Sequence, residues 1–503
     1  MTSLPEALTR LWQAEEAANM VQFDGRWFTW GHVRSLTKRI DAELTAAGCS
    51  AGGRVAVVLD NRVESVATLL ALIRGSRTLV TLSPLQPPER LSTDLQATKA
   101  GYVLAAEGWW ANPDFAAAAA NLGALGWSVQ GAAVALRATA THEAQPGDPG
   151  VAIEMLTSGT TGPPKRIPLT RVQLEVSLGA ALQHNDRPEF RENPPLTGSV
   201  GIIMAPIVHI GGLWGLLQAL ASARPFVLLE RFTLPAWRAA VTEHRPILVG
   251  LPPPAIRAVL DSDIPREDLA SVRAVNAGTS PVDPMLVDAF LERFGIPILI
   301  VYGATEFAGA VAGWTLKDFR ARWNDKKGSV GRAFPGVRLQ VLTDDGVVAP
   351  AGETGRLQVA SQQLGGHADE WVTTSDLAHI DDDGFVYIDG RADDVIVRGG
   401  FKIAPEAVVR ALRLHKAVGD GAVVGMPDDR LGQIPIAAVE LRPDAAATSE
   451  ELRQHCRTSL TPYEVPAAIY IVDELPRGGS MKVDRRSLIE MLDRLRLAPP
   501  VQI

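Results

Sequence analysis

The chain is poor in residues that mark several protein classes. Its 503 residues include only two cysteines, Cys49 and Cys456, which are too few for a disulfide framework and lack the spacing of metal ligands. We therefore expect a protein of a reducing compartment. Basic residues are not in excess, since 49 lysines and arginines stand against 57 aspartates and glutamates. The net charge of -8 argues against a nucleic-acid binder, which usually presents a basic face.

Long apolar runs suited to a membrane are also lacking. The most apolar segment, residues 210–229, contains Gly211, Arg224 and Pro225, and it predicts a buried helix followed by a strand. The first twenty residues lack the basic start and apolar stretch of a secretory signal. The sequence therefore predicts a cytoplasmic protein without a transmembrane segment.

Apolar segments of strand length alternate with helical patterns through much of the chain, for example at Val63–Ile73 and Pro284–Phe294. The predicted strands are Arg54–Leu59, Thr78–Leu82, Gly201–Ala205, Pro246–Gly250, Ala274–Val275 and Ile298–Tyr302. This alternation indicates parallel α/β layers. From about Gly328 to Gly390, short alternating strands with glycine and aspartate turns predict a small antiparallel β subdomain.

The last part of the chain mixes helices and strands and predicts a separate small domain. Its predicted elements are helices Pro405–Leu414 and Ser449–Leu460 and strands Gly421–Gly425, Ile434–Leu441 and Ala468–Val472. The predicted fold class is thus α/β. A large N-terminal domain, residues 1–392, combines layered α/β subdomains with the β subdomain, and a small mobile α+β domain covers residues 393–503.

A glycine- and hydroxyl-rich segment follows the predicted strand Val151–Leu156. It reads Thr157-Ser158-Gly159-Thr160-Thr161-Gly162-Pro163-Pro164-Lys165. Its glycines let a phosphate approach the backbone, its hydroxyls donate hydrogen bonds and its lysine supplies positive charge. A Walker A loop ends in Gly-Lys-Ser/Thr, whereas Lys165 precedes Arg166, so an ordinary P-loop helix cannot start there. On the pattern alone, a flexible surface loop is the alternative.

This segment resembles the phosphate loop of the adenylate-forming superfamily, which includes acyl- and aryl-CoA synthetases, amino-acid adenylation domains and beetle luciferases. Further segments match superfamily motifs in the same order along the chain. They are Ala277–Pro281, Tyr302–Glu306, Gly352–Gly355, Thr374–Asp376, Gly390–Asp394, Arg398–Glu406 and Leu475–Arg486. The chain is therefore identified as a member of this superfamily.

The resemblance implies three groups of residues around the nucleotide. The group that binds the phosphates is Thr157, Ser158, Gly159, Thr160, Thr161, Gly162 and Lys165. The group against the adenine and the acyl group is Gly278, Thr279 and Ser280. The group around the nucleoside is Tyr302, Gly303, Asp376 and Arg391. In this last group the tyrosine would stack on adenine and the aspartate would accept hydrogen bonds from the ribose.

The resemblance also implies catalytic roles. Thr305 would contact a phosphate, and Glu306 would hold Mg²⁺, because a carboxylate oxygen suits a hard cation. Lys482 would bridge the substrate carboxylate and the α-phosphate, where a cation offsets negative charge. His209 would lie near the carboxylate and gate the acid pocket, and a core histidine that caps the next helix is the alternative.

The resemblance further implies a hinge and a second loop. Asp393 would be the hinge on which the small domain turns. Gly399, Gly400 and Lys402 would belong to the loop that lines the pantetheine tunnel in ligase members, where glycines permit close backbone approach. The residues that depart from the family pattern are Arg166, Ser375, Gln433, Ser480 and Met481.

The predicted function is that of an ATP-dependent acid–CoA ligase. ATP, Mg²⁺ and CoA are implied, with a fatty or aromatic acid that is activated as acyl-AMP with release of pyrophosphate. No acidic residue stands between Pro206 and Gly215 to meet an ammonium group, so an α-amino acid is disfavoured. Two alternatives stay open: transfer to a carrier-protein pantetheine in trans, and a nucleotide-binding homologue without catalysis. The sequence is compatible with an oligomer.

Overall fold

Helices and strands alternate along most of the chain. A computed structural model describes residues 8–140, 147–157, 165–184, 194–365, 370–478 and 481–497. The helices are α1 (Thr9–Trp12), α2 (Trp30–Ala46), α3 (Val63–Arg74), α4 (Pro88–Thr98), α5 (Glu107–Trp110), α6 (Pro113–Asn121), α7 (Arg171–His184), α8 (Ile210–Ala221), α9 (Leu234–His244), α10 (Pro253–Leu260), α11 (Pro284–Phe294), α12 (Leu316–Arg322), α13 (Pro405–Arg413), α14 (Ser449–Cys456) and α15 (Arg485–Leu497).

The strands belong to five sheets. They are β1 (Asn19–Phe23), β2 (Arg26–Thr29), β3 (Arg54–Val58), β4 (Thr78–Leu82), β5 (Tyr102–Ala105), β6 (Leu125–Gln130), β7 (Ala133–Ala138), β8 (Val151–Thr157), β9 (Lys165–Thr170), β10 (Gly201–Ile203), β11 (Phe226–Leu228), β12 (Leu248–Gly250), β13 (Ala274–Ala277), β14 (Ile298–Ala304), β15 (Gly309–Gly313), β16 (Arg332–Ala333), β17 (Arg338–Leu342), β18 (Gly355–Ala360), β19 (Val372–Ile380), β20 (Val386–Arg391), β21 (Ile396–Arg398), β22 (Phe401–Ile403), β23 (Val418–Asp428), β24 (Gly432–Leu441) and β25 (Ala468–Val472).

The largest sheet has seven strands in the order β7-β6-β5-β3-β4-β8-β9. Its inner strands are parallel, and β7 and β9 pair antiparallel at the two edges. Strand β4 and nearly all of helix α3 are buried, because their sequences are almost continuously apolar. Strands covered on both faces require such sequences. The predicted parallel α/β layer is confirmed.

A second layer forms the edge at which the predicted nucleotide residues lie. Strands β12, β13 and β14 run parallel within a five-stranded sheet of order β12-β13-β14-β15-β16. The carboxyl ends of parallel strands meet at one edge, where α/β sheets usually bind ligands. Gly278–Ser280 follow β13, and Tyr302–Glu306 lie at the end of β14, so both segments share this edge.

The most apolar segment forms a helix and a strand, as predicted. Helix α8 buries Leu213, Leu216, Leu217 and Leu220, and β11 lies in a four-stranded sheet of order β10-β11-β1-β2. Among the residues that the structure describes, no helix combines the length and apolar character that crossing a membrane requires. The cytoplasmic location stays a prediction.

The antiparallel β subdomain is confirmed. Strands β17, β18, β19 and β20 pair with their neighbours in chain order. The ladder between β19 and β20 places Asp376 opposite Arg391. Two residues that are distant in sequence are thereby fixed side by side.

The C-terminal part has its own sheet, of order β22-β21-β24-β23, with β25 parallel to β24. Strand β23 is longer than the predicted Gly421–Gly425, because its ladder with β24 extends from Val418 to Asp428. Helix α14 ends at Cys456 rather than Leu460, where turns replace the helix. The small α+β domain is confirmed, whereas its boundary between residues 392 and 393 stays a prediction.

Candidate active site

The predicted phosphate-binding segment connects two antiparallel strands. Thr157 ends β8, Lys165 opens β9, and these two residues face each other in the ladder. Lys165 therefore starts a strand rather than a helix, in agreement with the exclusion of a Walker A loop. Lys165 is exposed at this end of the sheet. The intervening candidates Ser158, Gly159, Thr160, Thr161 and Gly162 lie outside the described residues.

Three residues predicted to surround the nucleoside contact one another. The hydroxyl of Tyr302 donates a hydrogen bond to Oδ2 of Asp376. The Nε atom of Arg391 lies 4.0 Å from Oδ1 of the same aspartate. Burial and the charge of Asp376 raise the pKa of Tyr302, so the phenol stays protonated and donates. The structure thus brings a carboxylate, a phenol and a guanidinium together.

Close packing explains the glycines at this edge. A Cβ atom on Gly303 would lie 2.2 Å from a carbonyl oxygen of strand β15, and one on Gly278 would lie 2.8 Å from Cγ2 of Val301. Neither position has room for a larger residue. Thr279 follows with a φ of 69°, and Ser280 continues this turn at the end of β13. The turn predicted to contact the adenine therefore lies at the edge of the sheet.

Lys482, in the C-terminal domain, is exposed, and it lies close enough to this edge of the N-terminal domain to interact electrostatically with Arg391, Asp376 and Glu306. We call the space between these residues the cleft. Protein on the two sides of the cleft partly desolvates its ammonium, which lowers the pKa of Lys482. The positive charge of Arg391 lowers this pKa further, and the carboxylates of Asp376 and Glu306 oppose the shift. The ammonium of Lys482 therefore interacts electrostatically with residues of the N-terminal domain.

Hydrogen bonds within the C-terminal domain hold the loop that carries Lys482. The N–H of Gly478 donates to the carbonyl oxygen of Lys482 at 2.8 Å. Met481 has a φ of 63°, in the left-handed region that glycine adopts at little cost. This conformation explains why the superfamily commonly has glycine close to this lysine. The methionine of this chain retains the turn.

His209 stands directly before helix α8, but its side chain makes no capping hydrogen bond. His209 is thus the N-cap residue of α8 by position, without a capping hydrogen bond from its side chain, and its gating role stays a prediction. Burial and the positive charge of Lys482 lower the pKa of His209, so its imidazole is neutral near pH 7. The imidazole therefore lies close enough to Lys482 for the two groups to interact electrostatically.

Glu306 offers an exposed carboxylate at the end of β14, in the short 3-10 turn that Thr305 opens. In the described ranges, no three His, Cys, Asp or Glu side chains cluster into a ready-made metal cage. Mg²⁺ in nucleotide sites usually takes only one or two protein carboxylates, and phosphates supply further oxygens. A single carboxylate at this edge fits that requirement.

The predicted pantetheine loop does not join the other residues. Gly399 and Gly400 form the turn between β21 and β22, with φ values of 56° and 88°. The Nζ atom of Lys402 lies 3.0 Å from the carboxylate of Asp344, and both side chains are exposed. Through Lys402 the loop therefore contacts Asp344, which follows strand β17, and its role in a pantetheine tunnel stays a prediction.

Two family models match the chain. The family model described as AMP-binding enzyme matches residues 10–366, and the model described as AMP-binding enzyme C-terminal domain matches residues 410–482. The chain belongs to the AMP-binding enzyme family. The two matches correspond to the large and the small domain seen in the structure.

Curated relatives refine the position of this AMP-binding enzyme. It is 31% identical over 498 residues to the sulfoacetate–CoA ligase of Cupriavidus necator, with 92% of each chain covered. It is 28% identical over 490 residues to 4-coumarate–CoA ligase 5 of Oryza sativa subsp. japonica, covering 92% of this chain and 89% of that one. These relatives put the enzyme in the acid–CoA ligase branch of the adenylate-forming superfamily.

Solved structures share its fold. ATP-bound MatB from Rhodopseudomonas palustris has a TM-score of 0.82 at 23% identity, covering 97% of this chain and 99% of that one. The o-succinylbenzoate CoA synthetase of Bacillus subtilis, in complex with its acyl-adenylate intermediate, has a TM-score of 0.80 at 22% identity, with 99% of each chain covered. The α/β fold with a large and a small domain is confirmed.

Two departures from the family pattern have partners in the AMP-binding enzyme. Arg166 forms an ion pair with Asp94 at 2.5 Å, and their side chains are only 15% and 9% exposed. Arg166 also donates a hydrogen bond to the carbonyl oxygen of Thr81. The hydroxyl of Ser375 accepts a hydrogen bond from Arg391. Arg166 and Ser375 therefore both have polar partners in the structure.

Sequence reasoning missed the residues that anchor the lysine loop. Asp420 and Glu440 lie opposite each other on β23 and β24, and both carboxylates contact the guanidinium of Arg477, at 2.6 and 3.3 Å. Asp394, in the turn after β20, contacts Arg485 just after the loop. No local pattern signals these contacts, because strand pairing and domain packing create them.

Proposed function

We propose that this enzyme joins a carboxylic acid to ATP, releases pyrophosphate and transfers the acyl group to the thiol of CoA. The observation that carries the proposal is that Lys482 lies close enough to Arg391, Asp376 and Glu306 for their charges to influence its pKa. The names of the curated relatives, which are CoA ligases, support an acid and CoA as substrates. ATP is the nucleotide that this arrangement suits.

In the first step, a carboxylate oxygen of the acid attacks the α-phosphorus of ATP. A bond forms between these two atoms, the bond from the α-phosphorus to the bridging oxygen breaks, and pyrophosphate leaves. Both reactants are anionic, so positive charge where they meet lowers the barrier. Lys482 supplies this charge from the C-terminal domain and Arg391 from the N-terminal domain.

The surrounding residues would orient the nucleotide. Asp376 would accept hydrogen bonds from the ribose through Oδ1, because its Oδ2 already accepts one from Tyr302. The aromatic face of that tyrosine would lie against the adenine. Residues 157–165 would bind the phosphates at the β8–β9 connection. Glu306 would hold Mg²⁺, which, when bound, neutralises charge on the phosphate oxygens.

We propose that the acid binds beside His209, against helix α8 and strand β15. Helix α8 leaves Gly211, Trp214 and Gly215 partly exposed on one face, and a Cβ atom on Gly215 would meet nothing within 4 Å. Strand β15 is buried throughout and contains only glycine, alanine and valine. Such walls suit an uncharged tail. We therefore propose a fatty or aromatic monocarboxylic acid.

In the second step, the CoA sulfur attacks the acyl carbon, the bond to AMP breaks and the thiol proton passes to solvent. We propose that the C-terminal domain turns about Asp393 between the steps, removing Lys482 and bringing the Gly399–Lys402 loop to the cleft. The electrostatic interaction of Lys482 with Arg391, Asp376 and Glu306, and the ion pair of Lys402 with the exposed Asp344, support this order of the two orientations. Carrier-protein pantetheine in trans is the alternative acceptor.

Acid-dependent release of pyrophosphate tests the first step. Enzyme, ATP and MgCl₂ should release pyrophosphate with monocarboxylic acids such as benzoate or hexanoate, and much less with their dicarboxylic counterparts phthalate and adipate. Release without any acid would contradict the proposal. Absence of release with every acid would favour the homologue without catalysis.

The pH dependence of this release tests the role of Lys482. The protonated ammonium is the active form and its pKa is lowered in the free enzyme, so kcat/KM should fall with rising pH below the ordinary lysine range. Lys482→Arg should move this alkaline limb to higher pH, because a guanidinium stays protonated. Coincident alkaline limbs in the two enzymes would show that another group titrates.

A bulky residue at Gly400 should block the second step selectively. Gly400→Phe should slow thioester formation from preformed acyl-AMP by about 10²-fold, the scale of loss that misplaced reactants cause, and spare pyrophosphate release. Gly384→Phe is the matched control, because Gly384 has a φ of 78° against 88° for Gly400, and both positions are exposed with open space around them. Equal losses in both variants, or loss of pyrophosphate release in Gly400→Phe, would contradict the tunnel role.

A further inference from the structure

We propose that Ser375 is a positioning residue that holds the guanidinium of Arg391 ready for the nucleotide. The inference rests on the proposed function, because it concerns the nucleotide that the cleft would bind. Ser375 stands where the superfamily usually has glycine, so its hydroxyl adds a contact at this position. The contact lies directly beside Asp376, which faces the same cleft.

The hydrogen-bond geometry singles out Ser375. Its Oγ atom accepts a hydrogen bond from Nη2 of Arg391 at 2.5 Å, and within the described part of the chain this is the only hydrogen bond of that guanidinium. The Nε atom of Arg391 is buried and has no partner there. Asp376 does not take the place of the serine, since its Oδ1 atom lies 4.0 Å away and its Oδ2 atom accepts from Tyr302.

The backbone around Ser375 fixes the position of its hydroxyl. The hydroxyl of the preceding Thr374 donates to the carbonyl oxygen of Leu357 at 3.0 Å. The same hydroxyl accepts a hydrogen bond from the N–H of Asp376 at 3.0 Å. Ser375 therefore lies between two tied residues and presents its oxygen at a defined point of the β19–β20 ladder.

A held arginine binds an anion better than a free one. The side chain of arginine has many rotamers, and ordering it upon binding costs free energy. The hydrogen bond that Arg391 donates to the hydroxyl of Ser375 orders the guanidinium before the nucleotide arrives. Without this hydroxyl, ATP itself would have to order Arg391, and its affinity would fall.

Calorimetric titration of ATP into the full-length enzyme tests this inference. Ser375→Ala should weaken ATP binding by about tenfold, since hydrogen bonds to charged groups contribute more than neutral ones. Ser375→Thr retains the hydroxyl and should bind ATP nearly as the original enzyme does. Thr373→Ala is the matched control on the same strand: it removes a hydroxyl that accepts from Gln358 at 2.8 Å, and it should leave the affinity unchanged.

A double-mutant cycle with Arg391→Ala separates positioning from a general structural effect. In the Arg391→Ala background, Ser375→Ala should cause no further loss of ATP affinity. In the original enzyme, Ser375→Ala should raise the KM for ATP but not the KM for the acid. Two results would overturn this inference and leave the proposed function intact. One is an equal ATP affinity of the original enzyme and Ser375→Ala, and the other is an equal loss of ATP affinity upon Ser375→Ala with and without Arg391. Failure of the original enzyme to bind ATP would overturn the proposed function with it. If Ser375→Ala does not fold, Ser375→Gly replaces it in the cycle.

Discussion

Replacing Lys482 by alanine should slow acyl-AMP formation by about 10²–10³-fold, the loss typical of removing one group that stabilises developing charge. The reason is that Lys482 is the cation that the C-terminal domain contributes to a cleft shared with Arg391, Asp376 and Glu306. Single-turnover assays with enzyme in excess over ATP measure this step directly. The change should appear in the rate of acyl-AMP formation.

The second half-reaction provides the internal control for this prediction. Transfer from preformed acyl-AMP to CoA should be largely retained in Lys482→Ala, because the proposed domain rotation removes this lysine from the cleft. Lys416→Ala, at an exposed lysine of the same domain, should leave both half-reactions intact. Equal loss of both half-reactions in Lys482→Ala would contradict the division of labour between the two domain orientations.

Replacing Arg166 by alanine should reduce the free energy of unfolding by about 3–5 kcal/mol, because one partner of a buried ion pair is lost. The change leaves the carboxylate of Asp94 buried without its counter-charge. Burial already raises the pKa of Asp94, and the charge of Arg166 opposes that shift. Urea unfolding followed by tryptophan fluorescence measures the loss, with Trp127 of the same sheet as a buried reporter.

Three further measurements identify the cause of that loss. The deficit of Arg166→Ala should shrink as the pH falls toward about 3.9, because protonated Asp94 carries no unpaired charge. An apolar pair, Arg166→Met with Asp94→Leu, should recover most of the stability. Lys402→Ala removes an ion pair with partners 71% and 94% exposed and should have little effect. A pH-independent deficit that the apolar pair does not recover would contradict the explanation.

Local sequence signals were sufficient for many elements of the fold. Helix α11 was predicted to the residue, because Asp283 caps its first turn and Gly295 ends it with a φ of 72°. Strand β4 was also predicted to the residue, since its apolar, β-branched run is buried throughout. The start of β23 and the end of α14 were not predicted to the residue. The long ladder with β24 determines where β23 starts, and surface turns determine where α14 ends, so neither boundary is set by a glycine or proline.

For the candidate site, too, some features could be predicted from the sequence and others could not. Motif resemblance supplied Lys482, Asp376 and Arg391; in the structure Asp376 and Arg391 face each other across the β19–β20 ladder, and both influence the pKa of Lys482. Resemblance could not supply the partners of residues that depart from the family pattern. The contacts of Arg166 with Asp94 and of Ser375 with Arg391 depend on which strands and helices lie side by side, and no local spacing encodes that.

Mass spectrometry of the products tests the central claim most directly. The enzyme is incubated with ATP, MgCl₂ and one monocarboxylic acid, with and without CoA. The proposed function predicts acyl-AMP and pyrophosphate without CoA, and the CoA thioester with AMP when CoA is present. Acyl-AMP that accumulates and is never consumed by CoA would contradict an acid–CoA ligase and favour a carrier-protein pantetheine as the acceptor.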